Sequence, residues 1–193
     1  MSALFEKAIT AFDDYNGKDP HSEKSGEKTF PKELLYAQRM SACLVDFEPD
    51  ASEALRLAIR CQHIGRWEIP RDTFPKDRVG YLQWRNKLKV HHAEIAEKIL
   101  RQTGYDSDTI ERVKFLVQKK QLRHDEETQT LEDVVCLVFL KYYFEEFAEE
   151  HEEDKVISIL QKTWVKMSEK GKAAALKLPM SEISKAYVSK ALS

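Results

Sequence analysis

Apolar residues recur along most of the chain at intervals of three and four positions, which is the spacing of helices that pack one face against a core. Strict alternation of apolar and polar residues over the length of a strand is hard to find. No stretch rich in proline, glycine and serine divides the 193 residues, which are enough for one substantial core. The pattern therefore predicts an all-α fold, a single-domain helical bundle over 1–193.

Individual helices follow from the same periodicity and from the residues that begin and end helices. Pro31 is placed to open a second helix, and Ser52 is placed to cap a third one that runs to Gly65. The polar stretch NGKDPHSEKSGEK predicts a loop before the second helix. Helices are also predicted at 2–15, 80–102, 107–121, 128–148, 153–169 and 180–191. The domain thus divides into an N-terminal helix and loop (1–30), a core (31–148) and C-terminal helices (149–193).

Composition adds little positive information but excludes some classes. The formal net charge is -2, so no global field favours nucleic acid or an anionic membrane, and anion binding must be local. The longest apolar run, VVCLVFL, is far short of the ~20 residues that span a bilayer, and the first residues do not form a secretory signal. The three cysteines lie in apolar helical stretches without metal-ligand spacing, which is typical of buried free thiols in a reducing compartment. We expect a cytoplasmic protein without membrane contact; its oligomeric state stays open.

Four polar residues lie in register with apolar neighbours and are predicted to point inward: Glu33, His63, His92 and Asp133. A buried carboxylate must be paired, protonated or bound to a cation. Two imidazoles and two carboxylates would suit a divalent metal ion such as Mn, Fe, Ni, Co or Zn. The alternative is that the histidines are hydrogen-bonded core residues and that Asp133, close to the start of its helix, serves the helix.

Basic and aromatic residues accompany these positions. An irregular, proline-containing segment from Trp67 to Val79 is the kind of loop that holds ligands, and guanidinium groups bind phosphate in a bidentate manner. Spacings of seven and three residues place two basic side chains of the next helix on the face of His92. We predict catalytic roles for Gln62, Arg66 and Arg85, and ligand-binding roles for Trp67, Arg71, Arg78, Trp84, Lys89 and Gln129, the last of these by orienting Asp133.

The order of these residues resembles the HD-type metal-dependent phosphohydrolases, which are all-α enzymes. LAIRCQHIGRW resembles their His-Asp segment, HHAEIAEKIL the region of a later histidine, and LEDVVCLVFL the segment of their distal aspartate. The resemblance implies an HD-like core in which His92 and Asp133 are ligands. The chain departs from it at Gln62 and His63, which replace the dyad, and at Tyr36, which replaces the first histidine.

A second resemblance covers nearly the whole chain. The strings PKELLYAQRMSACL, RCQHIGRWEIPR, GYLQWRNKLKVHHAEIA, ETQTLEDVVCLVFLKYYFEEF and QKTWVKMSEKG are similar to family 4202 of the domains of unknown function. That resemblance implies no activity. It does imply that Trp67, Arg71, Trp84, Arg85 and Gln129 belong to the family pattern.

Two functions from different classes follow. The first is a metal-dependent phosphohydrolase that acts on a nucleotide or another small phosphate ester, with a cation that activates water. The second is a non-catalytic helical module that has lost the metal and binds a nucleotide or nucleic acid. An adaptor for a protein partner, suggested by the acidic stretch 144–154, is a third reading.

Overall fold

The computed structural model describes residues 2–192 and confirms the all-α fold class. One short hairpin accompanies the helices. The helices of the described residues are α1 (Ala3–Asn16), α2 (Lys32–Phe47), α3 (Glu53–Arg60), α4 (Arg78–Thr103), α5 (Ser107–Val117), α6 (Glu126–Tyr142), α7 (Phe144–Glu149), α8 (Glu153–Lys166), α9 (Glu169–Ala175) and α10 (Glu182–Leu192). No helix within this described range is long and apolar enough to cross a membrane.

The described chain divides into two compact units, one up to Gln121 and one from Leu122 onward. The first contains α1 to α5 and the hairpin, and the second contains α6 to α10. The prediction of a single domain with an HD-like core stays a prediction.

Helix α4 is the central element of the first unit, and both α1 and α5 pack against it. It begins at an Asp77 cap, whose carboxylate accepts the Gly80 N–H, and ends at Gly104 in the left-handed conformation. Helix α3 packs between α2 and α5 and buries Leu55, Leu57, Ala58 and Ile59. The fully buried core of this unit includes Phe12, Met40, Leu55, Leu57, Ile59, Ile64, Leu100, Ile110 and Leu116.

Several predicted boundaries are confirmed and several are wrong. Ser52 caps α3 as expected, through a bond from the Leu55 N–H. Helix α3, however, ends at Arg60 and is followed by a turn, whereas the prediction extended it to Gly65. The predicted helix 128–148 is divided between α6 and α7, and α9 was not predicted.

The predicted polar loop contains an antiparallel hairpin, which is a further correction. Strand β1 (Ser22–Ser25) pairs with β2 (Lys28–Pro31) across a two-residue loop whose first residue, Gly26, has a φ of 60°. Two-residue hairpin loops need such a positive φ. The strands carry few apolar residues, so the alternation that marks a strand was absent from the sequence.

The second unit places α10 against α8 and α9 against α6. Its core is aromatic in part: the ring of Phe144 meets those of Phe139 and Tyr187 edge to face. Val156 and Leu160 of α8 are also buried in this unit. The acidic stretch 144–154 forms α7 and the start of α8, with most of its carboxylates exposed.

Candidate functional site

A tight turn at 61–65 connects α3 to the irregular segment, and Gly65 determines its shape. Its φ of 68° lies in the left-handed region, and a Cβ placed there would lie 2.5 Å from Cδ1 of Ile95. Only glycine satisfies both conditions without rearrangement. The turn is fixed to α4 by two carbonyls, since Nδ1 of His92 lies 2.6 Å from the Ile64 oxygen and Nε2 of His91 lies 3.2 Å from the Gly65 oxygen.

The turn and α4 enclose a small cavity of about 230 Å³, counted together with the part that opens to solvent. Arg85, Lys89 and His92 reach it from one face of α4, as their spacing predicted. The opposite side of the cavity is formed by Gln62, His63 and Arg66, which follow α3. The cavity is lined by Gln62, His63, Arg66, Arg85, Leu88, Lys89, His92 and Lys119. Four of these side chains are cationic and none is a carboxylate.

The imidazole of His63 lies inside this cavity between aromatic and charged neighbours. It stacks on Tyr36 with ring centroids 4.3 Å apart, and its centroid lies 5.8 Å from that of His92. Its Nδ1 lies 3.5 Å from Oε2 of Glu33. Burial, assisted by the positive charge of Arg66, lowers the pKa of His63 well below its usual value. At neutral pH the ring is therefore uncharged.

His92 is almost fully buried and is also neutral. Burial lowers its pKa to about 3, although its bond to the Ile64 carbonyl opposes the shift. The carbonyl only accepts, so Nδ1 of His92 carries the hydrogen and Nε2 has the lone pair. His92 thus joins the turn to α4 and also borders the cavity.

Glu33 lies next to the cavity, behind His63. Burial raises its pKa to about 7, against the opposing charge of Arg66, whose Nε lies 3.6 Å from Oε1. Its other oxygen, Oε2, is buried without a hydrogen-bond partner. The backbone N–H of Glu33 donates to Oδ2 of Asp19, which is one of the charges that raise this pKa. Near neutrality Glu33 therefore compensates the surrounding cations only in part.

Gln62 points into the cavity with a polar group that the fold does not use. The residue is 4% exposed, and its Oε1 is buried without a hydrogen-bond partner. An unpaired buried polar atom costs roughly 1 to 3 kcal/mol, so such atoms are rare in folded proteins. A ligand group that donates a hydrogen bond would satisfy it.

Arg66 stands over Trp84, with its guanidinium carbon 4.7 Å from the ring centroid. Trp84 is buried, and its Nε1 donates to the Ile69 carbonyl at 2.8 Å. This arrangement holds Arg66 at the cavity, and it occupies a face of the ring for which we predicted a ligand-binding role. The observed contact of Trp84 is thus with Arg66, which it helps to position.

Three other predicted ligand residues lie outside the cavity lining. The guanidinium of Arg71 donates to the carbonyls of Phe74 and Pro75 and thereby closes its own loop. Arg78 is exposed at the first turn of α4. Trp67 is half-buried and contacts Tyr15 at a tilt, with ring centroids 6.0 Å apart.

Asp133 belongs to the second unit, where helix packing accounts for its burial. Its carboxylate accepts bonds from the N–H and the hydroxyl of Ser168, the cap of α9. Nε2 of Gln129 lies 3.1 Å from Oδ1, so the predicted contact between Gln129 and Asp133 is present. A Cβ on Gly171 would lie 2.6 Å from the Asp133 carboxyl carbon, because the two helices approach closely there.

The predicted metal ligands do not form a ligand set in the described part of the chain. No group of three or more His, Cys, Asp or Glu side chains among these residues is placed to hold a metal ion. His63, His92 and Glu33 are neighbours in the first unit, whereas the carboxylate of Asp133 is bonded to Ser168 and Gln129 in the second. The residues therefore do not fit the predicted four-ligand metal site as they stand.

Lys119 is the cavity residue that the sequence reasoning missed. It follows the end of α5 and is one of four cations around the two imidazoles. The sequence contained no signal for it, because no turn-forming residue marks the end of this helix.

Nearly the whole chain matches the model of a protein family. The model of a family described as "Domain of unknown function (DUF4202)" matches residues 6–188. No curated protein and no solved structure matches the chain.

Proposed function

Because the chain belongs to the DUF4202 family, whose description assigns no activity, we propose its function from the cavity: the first unit binds the phosphate group of a small molecule. The observation that carries the proposal is the lining. Arg66, Arg85, Lys89 and Lys119 surround one opening to which no carboxylate contributes. The chain as a whole is slightly acidic, so this concentration of positive charge is local.

The size of the cavity restricts the ligand. The cavity is narrow, because its volume of about 230 Å³ includes the gaps between its lining atoms and the open solvent at its mouth. Sites that enclose a drug-sized molecule usually measure about 300 to 1,000 Å³, so a whole nucleotide is not enclosed here. We propose that the phosphate lies at the opening, against the four cationic side chains, and that the rest of the molecule lies toward solvent.

The neutral groups of the cavity favour a ligand that both accepts and donates hydrogen bonds. Guanidinium and ammonium groups only donate, and they suit phosphate oxygens. The unpaired Oε1 of Gln62 and the lone pair on Nε2 of His92 accept. A protonated phosphate or a phosphate monoester that carries a hydroxyl group offers both kinds of partner.

Calorimetric titration of the full chain with inorganic phosphate tests the proposal. Arg85 supplies the variant, because it lines the cavity and no carboxylate of the described residues lies within ion-pair distance of it. Arg85→Ala should weaken phosphate binding about tenfold or more, the effect of losing one hydrogen bond to a charged group. Lys87→Ala, an exposed lysine on the same helix, is the matched control and should bind as the wild type does.

Two results would contradict the proposal. One is the absence of phosphate binding by the wild type at millimolar concentration. The other is equal affinity of Arg85→Ala and wild type. A short oligonucleotide should bind more weakly than a phosphate monoester. If it binds at least as tightly, and Arg85→Ala weakens that binding, the function is nucleic-acid binding and not the binding of a small phosphate.

Metal-dependent phosphate hydrolysis is the second candidate. One observation favours it: His63 and His92 are both neutral, the form in which imidazole binds a metal, and the unpartnered Oε2 of Glu33 lies next to His63. Elemental analysis of protein purified without chelator tests it. Stoichiometric Mn, Fe, Ni, Co or Zn, together with hydrolysis of a chromogenic phosphate ester, would favour the enzyme over the binding module.

A further inference from the structure

Lys119 adopts a backbone conformation that is unfavourable for a lysine. Its φ is 55°, in the left-handed region where side chains with a Cβ are rarely found. It occupies the position after the C-cap of α5, Gln118, where helices commonly carry glycine. Its N–H donates to the Leu116 carbonyl at 2.9 Å, and that of Lys120 donates to Phe115 at 3.2 Å.

The same chain shows the ordinary solution one helix earlier. At the end of α4 the N–H of Gly104 donates to the Arg101 carbonyl and that of Tyr105 donates to Leu100, the same pair of bonds at the same offsets. There the left-handed residue is a glycine, with a φ of 104°. The geometry of the helix end therefore does not require a lysine at 119, and glycine would form it with less strain.

The lysine side chain is what distinguishes this helix end. Lys119 is half-buried and lines the cavity with His63, Arg66 and Arg85, whereas Lys120 and Gln121 beside it are exposed. Its positive charge is among the influences that lower the pKa of His63. Unfavourable backbone conformations persist at functional sites when the side chain they position is needed there.

We infer that Lys119 is a phosphate-binding residue, held by its left-handed backbone at the mouth of the cavity. The inference rests on the proposed function and deepens it, because it assigns a binding role to the unfavourable backbone of one lining residue. Lys119 complements the arginines because its ammonium is a compact charge on a flexible stem, able to follow a phosphate oxygen. At this position the lysine lowers the stability of the fold but strengthens phosphate binding, so substitutions should change the two properties separately.

Three variants of the full chain separate the two effects. Lys119→Gly should raise the melting temperature by about 2 to 4 °C, because it relieves the left-handed strain, and should weaken inorganic phosphate binding about tenfold or more. Lys119→Met keeps a long side chain and the strain but loses the charge. It should therefore bind as weakly as Lys119→Gly without the gain in melting temperature.

Gln121 provides the matched control. Its φ is 51°, so it is a second non-glycine residue in the left-handed region, but it is exposed and does not line the cavity. Gln121→Gly should raise the melting temperature and leave phosphate affinity unchanged. This control separates the effect of backbone strain from the effect of the lysine charge.

Melting curves and calorimetric titrations with inorganic phosphate decide the outcome. Weaker phosphate binding in both Lys119 variants, with normal binding in Gln121→Gly, supports the inference. If the wild type binds phosphate and Lys119→Met binds it equally well, the inference is overturned while the proposed function stands. If the wild type binds no phosphate, the proposed function fails and this inference fails with it.

Discussion

The imidazole of His63 lies almost parallel to the ring of Tyr36, with centroids 4.3 Å and planes 10° apart. Such pairs contribute about 0.5 to 1.5 kcal/mol beyond the area they bury. Within residues 2–192 no hydrogen bond to the His63 ring is present, and its Nδ1 lies 3.5 Å from Oε2 of Glu33. Stacking therefore accounts for much of the stability that His63 contributes to the fold, and its ring nitrogens are available to a ligand.

His63→Phe should preserve the stack, whereas His63→Ala should lose about 1 kcal/mol of unfolding free energy with it. Both variants lack the imidazole nitrogens, so both should bind phosphate more weakly than the wild type. Chemical denaturation and calorimetry measure the two effects. A His63→Phe variant as unstable as His63→Ala would show that polar contacts, and not stacking, hold the residue.

Glu33 gives the protein a pH dependence of definite sign. Its pKa is raised from 4.5 to about 7, so the folded state holds a proton that the unfolded state releases above pH 4.5. Stability should therefore fall as pH rises from about 4.5 to 7, by on the order of 3 kcal/mol. Glu33→Gln should abolish this loss.

The measurement is denaturant unfolding of wild type and Glu33→Gln at several pH values between 4 and 8. The advantage of the variant should be small at low pH and largest above 7. Comparison at each pH cancels the opposite contribution of His92, whose depressed pKa costs stability as pH falls below its usual value. The charged groups that act on Glu33 are Arg66, Asp19, Lys32 and Glu23, and the His63 ring lies beside it. A difference that does not vary with pH would contradict the prediction.

Gln62→Leu should leave the fold as stable as the wild type or more stable by up to about 1 kcal/mol. The substitution removes an amide oxygen that is buried without a partner, and leucine is of similar size. Phosphate affinity should fall at the same time, because the cavity loses an acceptor. Thermal melting with and without phosphate reports both quantities, and a clearly destabilised variant would show that Gln62 serves the core.

Asp133→Ala should destabilise the protein by roughly 2 to 4 kcal/mol, because the Ser168 hydroxyl and N–H would lose their acceptor. Asp133→Asn, which keeps the shape and one oxygen, should cost less. Asp154→Ala removes an exposed carboxylate of the same unit and is the control. If Mn or Zn stabilised the wild type but not Asp133→Asn, a metal role for Asp133 would replace its role as the acceptor of the Ser168 bonds.

Local periodicity was sufficient to predict one side of the cavity. Arg85, Lys89 and His92 share a face because a helix of 3.6 residues per turn brings positions 0, 4 and 7 together, whatever the rest of the fold does. The burial of Asp133 was predictable for the same reason. Its partner was not, since Ser168 lies 35 positions further along the chain and pairs with it only through tertiary packing.

The turn after α3 was predicted incorrectly for an instructive reason. His63 lies four residues after Ile59, so helical spacing placed it on the inner face of a helix that in fact ends at Arg60. The turn nevertheless buries Gln62 and Ile64. The sequence predicted burial in this region but assigned the wrong backbone, because nothing local distinguishes a last helical turn from a tight turn.

Lys119 and the hairpin show the limits of signals carried by residue type. Lys119 and Gly26 of the hairpin both have a positive φ, but only glycine is a residue type that commonly adopts this conformation. A lysine gives no such sign, and α5 was therefore extended to 121. Prediction from residue preferences cannot find a functional residue whose backbone conformation goes against those preferences.

The left-handed turn at Gly65 also bears on how quickly the cavity fills. Its carbonyls are held by His91 and His92, and the side chains of Ile95 and Tyr15 pack closely against Gly65. His63 and Arg66 on either side of it are thus in place before any ligand arrives, and little conformational entropy is lost on binding. Phosphate should then associate in one step, at a rate governed by diffusion and by ionic strength rather than by rearrangement of the chain.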